Sequence, residues 1–164
     1  MFQTKPQIAL DLIDRAKANG IKVMAWTADE GYGRDGAFLD GLDERNEAWV
    51  IEVPPNAHVW LMKPKVLKTP PENTTSRPKK YPRLRSRERQ PSEIQNLARY
   101  SPAFRKQTPQ NYQIKHTHRG SEVWEIRWST CWRKTHTDNL VSNQCTLIVA
   151  RNVLTDETKY FLSN

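Results

Sequence analysis

Residues 21–33, IKVMAWTADEGYG, join an apolar run to a carboxylate and a Gly-Tyr-Gly turn. An apolar run of this length, bounded by turn residues, predicts a buried β-strand over residues 21–27. Asp29 then follows the carboxyl end of that strand, which is where open α/β sheets place their chemistry. A carboxylate in this position can hold a divalent metal ion if other carboxylates converge on it.

Asp29 also has a purely structural interpretation. Asp is common directly after strands because its side chain accepts hydrogen bonds from nearby backbone N–H groups. The adjacent Glu30 is expected to be a surface acid, because neighbouring residues near a strand end point to opposite faces. We expect Tyr32 to pack structurally, and Arg34 either to meet a phosphate or to pair with Asp35. The sequence leaves both interpretations of Asp29 open.

The residues around this stretch predict a helix–strand–helix–strand unit. Thr4 can cap a first helix that ends at Asn19-Gly20, and Asp35 can cap a second one. Residues 48–53, AWVIEV, predict a second strand that Pro54 ends. Strand, helix and strand in so short a span indicate a right-handed parallel crossover. The helical side chains expected to face the core are Ala9, Leu12, Ile13, Ala16, Phe38, Leu39 and Leu42.

The formal net charge of +8 is concentrated in the middle of the chain. Residues 1–62 carry six Lys/Arg and ten Asp/Glu, residues 63–119 carry fifteen and three, and residues 120–164 carry five of each. A basic block beside acidic and neutral ones indicates a polyanion partner such as nucleic acid, or else a solvated linker. The candidate nucleic-acid-binding residues are Lys79, Lys80, Arg83, Arg85, Arg87 and Arg89.

The same middle third is expected to hold little regular structure. Prolines among basic residues, with few large apolar side chains, predict an extended connector over residues 63–90. Residues 91–100 predict one short helix, begun by Pro91 or capped by Ser92. Residues 101–117 are expected to be irregular.

Order returns near Glu122. Residues 123–132, 145–152 and 159–162 are rich in aromatic and β-branched types and predict an antiparallel meander of about three strands. One face of the first of these strands should be aromatic, because Trp124 and Trp128 share a parity along it. Core packing is the favoured use of these side chains, and stacking on bases is the alternative.

Several classes of protein are excluded by what the sequence lacks. No stretch approaches the roughly 20 apolar residues of a membrane span, and the first residues lack the apolar core of a secretory signal. We therefore expect a cytoplasmic protein, nucleoid-associated if it binds DNA. Cys131 and Cys145 lack metal-site spacing and are expected to be reduced thiols in strands. Walker, GxSxG, HExxH and EF-hand patterns are absent.

Three segments together resemble the DDE transposases of bacterial insertion sequences. Residues 5–42 (KPQIALDLIDRAKANGIKVMAWTADEGYGRDGAFLDGL) resemble the region around the second catalytic aspartate of that family. The segments GSEVWEIRWSTCWRK and LIVARNVLTDETKYFLSN resemble its β-rich insertion. The resemblance implies an α/β class, with a partial RNase H-like core over residues 1–62, a basic Pro-rich connector over 63–119 and β-rich insertion strands over 120–164.

The resemblance also implies an activity, a cofactor and a partner. It implies cutting and joining of DNA with two divalent ions, Mg²⁺ or Mn²⁺, held by three carboxylates. Only Asp29 carries over, as a catalytic and metal-binding residue, because the first aspartate and the final glutamate have no counterpart here. We therefore expect an interior fragment that is inactive alone, binds no metal stably and self-associates through an open sheet edge. The alternatives are a non-catalytic DNA-binding fragment and a pseudogene product.

Overall fold

The computed structural model describes residues 2–67, 83–85, 88–117, 120–136 and 140–164, with the side chains of residues 115–117 excepted. The described chain is mixed α/β and rich in β-strands. None of its described helices combines the length and apolar character needed to cross a membrane. The helices are α1 (Lys5–Ala18), α2 (Glu30–Gly33), α3 (Gly36–Glu44), α4 (Ile94–Tyr100) and α5 (Pro102–Arg105). The strands are β1 (Trp26–Ala28), β2 (Trp49–Glu52), β3 (His58–Trp60), β4 (Val66–Leu67), β5 (Arg83–Leu84), β6 (Ser92–Glu93), β7 (Gln110–Thr117), β8 (Gly120–Lys134), β9 (Val141–Asn152) and β10 (Thr158–Ser163).

Helix α1 begins and ends where its sequence signals predict. The Thr4 side chain accepts a hydrogen bond from the Gln7 backbone N–H, and the Gln7 side chain accepts one from the Thr4 N–H. This reciprocal capping box satisfies backbone donors that the first turn would otherwise leave unpaired. Gly20 follows the helix with a φ of +73°, a left-handed conformation that favours glycine. Only part of the predicted apolar face is covered, because Ile13 is buried while Leu12 is 55% exposed.

The predicted parallel pairing of the first two strands is confirmed. Trp26 of β1 lies opposite Trp49 of β2 in a parallel register. Between them, the Asp35 side chain caps α3 by accepting from the Ala37 N–H at 2.9 Å. The inward side chains predicted for this helix, Phe38, Leu39 and Leu42, are all buried.

The first strand is shorter than the apolar run predicts, and the expectation of a buried strand over residues 21–27 is wrong for most of that run. Strand β1 covers Trp26–Ala28 only. Ile21 is 57% exposed and Met24 is 97% exposed. Within the described residues, β1 is an edge strand with one neighbour, β2, so the apolar residues before it have no second strand to pack against.

One sheet joins both ends of the described chain. Its order is β1-β2-β10-β9-β8-β3-β6, with β7 also paired to β8. Strand β10 lies antiparallel to β2, with Leu162 opposite Ile51. The parallel pair and the C-terminal meander are therefore continuous through backbone hydrogen bonds. Strands β4 and β5 form a separate two-stranded sheet, in which Val66 lies opposite Leu84.

The predicted antiparallel meander is confirmed and is longer than the sequence indicates. Strands β8, β9 and β10 are neighbours in that order. The two cysteines lie directly opposite each other, Cys131 on β8 and Cys145 on β9. Both are free and buried, as expected for reduced thiols in strands. Burial raises the pKa of each thiol above its usual value, so both are protonated at neutral pH.

Two expectations for the middle of the chain are wrong. Ser92 does not cap a helix, because Ser92–Glu93 forms strand β6 against β3, and α4 begins at Ile94 without a side-chain cap. Residues 101–117 are not irregular, because Ser101 caps α5 and Gln110–Thr117 forms β7 along β8. The β7 sequence is polar and weakly patterned, so its strand structure depends on pairing with β8, which no local signal reveals.

The hydrophobic core lies on one face of the main sheet. Trp49, Ile51, Leu147 and Leu162 contribute from the strands, and side chains of α1, α3, α4 and α5 join them. Trp124 and Trp128 are outside this cluster, so their expected core packing is wrong. They share the opposite face because the buried Cys131 has the other parity along β8.

Candidate active site at the end of the first strand

Asp29 lies directly after β1, at the carboxyl end of a strand paired in parallel with β2. The residue is exposed. One of its carboxylate oxygens, Oδ1, accepts a hydrogen bond from the Gly31 N–H at 3.0 Å and caps α2. The carboxylate is therefore a cap, as the structural interpretation predicts. It also lies where α/β sheets usually place their chemistry, and its role in metal binding stays a prediction.

The Gly-Tyr-Gly turn packs tightly against the sheet. A Cβ atom at Gly33 would lie 1.9 Å from the backbone oxygen of Glu52, so only glycine fits. The Tyr32 ring contacts Phe38 with centroids 5.3 Å apart, which confirms its structural role. These contacts hold the backbone after Asp29 in one position relative to β2.

The charged neighbours of Asp29 are paired with each other. Arg34 donates from Nε to Glu30 Oε1 at 3.1 Å, one helical turn earlier. Glu30 is thus the partly exposed acid that was expected. Arg34 pairs with Glu30 rather than with Asp35, whose side chain caps α3.

An apolar groove of about 340 Å³ runs from α1 to Asp29. It lies beside β1, the edge strand of the described sheet. The half-covered apolar face of α1 forms one wall of the groove. Its lining residues are Ala9, Leu12, Ile13, Ala16, Trp26, Thr27, Ala28, Asp29, Tyr32, Phe38 and Ile51.

A metal ion would require more ligands than this site brings together. Mg²⁺ prefers about six oxygens in octahedral geometry, usually from more than one carboxylate plus water. Across the described ranges, no three His, Cys, Asp or Glu side chains lie close enough together to hold a metal ion. Asp29 alone therefore does not fit a two-metal centre.

The aspartates of α1 and α3 bind other partners. Asp11 accepts a hydrogen bond from Gln3 at 2.7 Å. Asp14 pairs with Arg45 at 2.8 Å, which lowers the pKa of Asp14 below its usual value. Asp40 and Asp43 bind one buried arginine, and Asp40 is only 7% exposed.

That arginine, Arg133 of β8, is a feature that sequence reasoning missed. Its Nη1 and Nη2 donate to Asp40 and Asp43 of α3, the second at 2.7 Å. Asp43 also accepts from the Trp49 indole at 2.9 Å. Burial by itself lowers the pKa of Arg133, but the hydrogen bonds and charges of the two aspartates outweigh it and raise that pKa. No local pattern signals a pairing across about ninety residues.

Three of the six candidate nucleic-acid-binding residues lie within the described part of the chain. Arg83, Arg85 and Arg89 are exposed. The Arg85 N–H donates to the Lys65 carbonyl at 2.9 Å, and the Arg89 carbonyl accepts from the Trp60 indole at 2.8 Å. Their backbones are thus anchored while their side chains face solvent. Lys79, Lys80 and Arg87 lie outside the described residues.

A carboxylate directly after a parallel strand lies where α/β sheets of many functions place their binding and catalytic groups. A sequence model of the DDE superfamily endonucleases matches residues 1–121, most of the chain. The chain therefore belongs to the DDE superfamily endonucleases, a family of transposase-like nucleases that act on DNA and generally use divalent metal ions. No curated protein and no solved structure shows significant similarity to it.

Proposed function

We propose that this chain is part of a bacterial insertion-sequence transposase and that Asp29 is one of the carboxylates required for DNA strand cleavage and transfer. The observation that carries the proposal is the exposed carboxylate at the carboxyl end of β1, within the residues that match the family. In this interpretation residues 1–62 are part of an RNase H-like core, residues 63–119 a basic connector, and residues 120–164 an insertion. The protein then works in the bacterial cytoplasm, on the nucleoid.

The chain alone should not cleave DNA. Two divalent ions, Mg²⁺ or Mn²⁺, need several carboxylates, and the described residues form no group of three or more His, Cys, Asp or Glu side chains that could hold a metal ion. In our proposal, an aspartate and a glutamate from other polypeptide segments complete the site. The isolated chain then holds no metal ion stably.

A plasmid assay tests the proposed inactivity of the isolated chain. Purified wild type, Asp29→Asn and Asp29→Ala are incubated with supercoiled plasmid and Mg²⁺ or Mn²⁺. Asn keeps the capping hydrogen bond but not the charge, and Ala loses both. We expect no nicking from any of the three, and metal-dependent nicking by wild type that Asp29→Asn abolishes would overturn the proposed inactivity.

The transposase assignment is tested on the flanking DNA, translated in all frames on both sides. We expect a strand bearing an aspartate upstream and a helix bearing a glutamate downstream, each joined by a frameshift site. In the assembled protein, Asp29→Asn should then abolish excision of the element. Flanks that carry only stop codons and no such segments would contradict the assignment.

The charge distribution favours a second candidate, a non-catalytic DNA-binding module. Residues 63–119 carry fifteen Lys/Arg against three Asp/Glu, and the described Arg83, Arg85 and Arg89 are exposed. Contacts to phosphates would make binding weaken steeply with salt, without dependence on sequence. Reversing the charges of Lys79, Lys80, Arg83 and Arg85 should then abolish duplex binding, whereas Asp29→Asn should leave it unchanged.

Self-association is a further part of the proposal. Within the described part of the chain no strand pairs with the outer edge of β1, and the apolar groove lies beside it. Unpaired edges and exposed apolar surface promote association between chains. We propose that copies of this chain associate through this edge.

A further inference from the structure

Two buried thiols face each other across neighbouring strands of the main sheet. Cys131 of β8 and Cys145 of β9 lie directly opposite each other in an antiparallel register. Cys131 is 0% exposed and Cys145 is 2% exposed, and both thiols are free. The candidate active site at Asp29 uses neither of them, so the pair needs a separate explanation.

The strand register brings the two cysteines within reach of a disulfide bond. Residues that face each other directly in an antiparallel pair have Cα atoms about 4.5 to 5.5 Å apart, and a disulfide joins Cα atoms about 4.4 to 6.8 Å apart. The pairing of β8 with β9 runs without a register shift from Trp124 to Trp132, so the backbone around Cys131 is regular. A bond between the two sulfurs therefore requires no change of register.

The two sulfurs have different surroundings. The Cys145 Sγ donates to the Asn143 carbonyl at 3.5 Å and lies 3.7 Å from the Ser142 Oγ. Burial raises the pKa of Cys145, and hydrogen bonding by Ser142 and the charge of Arg133 act against burial and lower that pKa. Burial also raises the pKa of Cys131, and the neighbouring Cys145 raises it further. Cys145 is therefore the thiol that reaches the nucleophilic thiolate form more readily.

A pocket of about 330 Å³ gives access to the neighbourhood of Cys145. Two of the residues that line the pocket, Ser142 and Asn143, are the ones that the Cys145 sulfur contacts. Carboxylates line the pocket as well and would repel an anionic reagent. A small uncharged oxidant such as hydrogen peroxide suits this approach. The remaining lining residues are Asp40, Asp43, Glu44, Thr135 and Val141.

We propose that Cys131 and Cys145 form a cross-strand disulfide bond when a peroxide oxidises the protein. The Cys145 thiolate attacks one oxygen of hydrogen peroxide and becomes a sulfenic acid, and the hydroxide released takes up the Cys145 proton as water. The Cys131 thiol then loses its proton and attacks the Cys145 sulfur, so that the S–S bond forms and the sulfenic oxygen leaves as a second water. Two electrons and two protons thus pass from the cysteines to the peroxide. No step involves Asp29, a metal ion or DNA, so the inference does not depend on the proposed function.

Thiol labelling and mass spectrometry test the bond and the order of the two steps. Folded protein is treated with hydrogen peroxide, quenched with catalase, denatured and alkylated with N-ethylmaleimide. Untreated wild type should gain a label on each cysteine, and treated wild type on neither, with the two cysteine-bearing peptides joined until dithiothreitol separates them. Treated Cys131→Ala should carry a sulfenic acid on Cys145 that dimedone traps, whereas Cys145→Ala should keep an unreacted thiol on Cys131.

Thermal unfolding tests the consequence of the bond. A cross-link between β8 and β9 restricts the unfolded chain, so oxidised wild type should unfold at a temperature about 5 °C or more above the reduced form. Dithiothreitol should remove the difference, and peroxide should not raise the midpoint of either alanine variant. The comparison of oxidised with reduced wild type decides the question even where an alanine variant fails to fold.

Three results would overturn the inference. One is a folded wild type whose cysteines both remain open to alkylation under conditions that oxidise the urea-unfolded chain. Another is oxidation that yields sulfinic acids or disulfides between chains in place of the joined peptides. The third is a verified Cys131–Cys145 bond that leaves the midpoint of thermal unfolding unchanged, because the cross-link would then not stabilise the meander.

Discussion

Gly33 lies where the Gly-Tyr-Gly turn meets the backbone of β2. An added Cβ would lie 1.9 Å from the Glu52 carbonyl oxygen and 3.1 Å from a Val53 methyl group. A strand carbonyl cannot rotate away, so Gly33→Ala must push the turn off the sheet. We expect it to lower the free energy of unfolding by about 3 kcal/mol, measured by urea denaturation. Gly31→Ala is the control, because its nearest neighbour is the Asp29 side chain at 3.1 Å, and equal losses would contradict this account.

Glu47 makes the stability of the fold depend on pH. Its carboxylate pairs with Lys17 and accepts a hydrogen bond from the Trp26 indole. These contacts, of which the one with Lys17 has the larger effect, hold the pKa of Glu47 below its usual 4.5. Because the folded state releases this proton more readily, the contribution is full above pH 4.5 and is lost as the pH falls through the lowered pKa. The midpoint temperature of thermal unfolding should therefore fall less steeply between pH 7 and pH 3 for Glu47→Gln than for wild type. The exposed Glu44→Gln should follow wild type, and parallel curves for Glu47→Gln would refute the prediction.

At the scale of elements, the Arg133 network joins α3 to the meander. Arg133→Met would leave Asp40 and Asp43 without their cation in a buried site. Removing one partner of a buried ion pair typically costs about 3–5 kcal/mol, because the remaining charge stays desolvated. We expect a loss of that size in chemical denaturation.

An exposed arginine provides the matched control for that prediction. Arg151 pairs with Asp156 at the surface, where the arginine side chain is 46% exposed. Exposed pairs contribute little to stability because solvent screens them, so Arg151→Met should have a small effect. If both arginine variants lost equal stability, the buried network would not be the connection between α3 and β8 that the structure indicates.

For the whole molecule, we propose that the outer edge of β1 and the adjacent groove determine the association state. We expect wild type to form oligomers whose fraction rises with concentration, measured by sedimentation velocity. Leu12→Lys places a charge in the groove, where Leu12 is 55% exposed, and should shift the protein towards monomer. Leu154→Lys, at a more exposed site outside the groove, should leave association unchanged. A wild type that stays monomeric at every concentration would contradict the proposed interface.

Some features of the candidate site depend on neighbouring residues, and others depend on contacts between residues far apart in the chain. The place of Asp29 after a strand, its cap on α2 and the Asp35 cap on α3 depend on residues within a few positions of each other, so sequence reasoning could predict them. The partner of Asp40 and Asp43 could not be predicted, because it depends on a distant strand that no local pattern reveals. Both are drawn to Arg133, far away in the chain.

The sequence by itself determined the helix limits at Thr4 and Gly20, the parallel pair β1–β2 and the meander β8–β10, because caps, turns and alternation act over a few residues. Only the tertiary structure decided that β10 pairs with β2, that the polar β7 is a strand, and that Trp128 lies outside the core. The physical reason is that strand pairing and burial depend on which distant segment supplies the neighbour. Where the described chain supplies none, as beside β1, an apolar run such as Ile21–Met24 remains exposed.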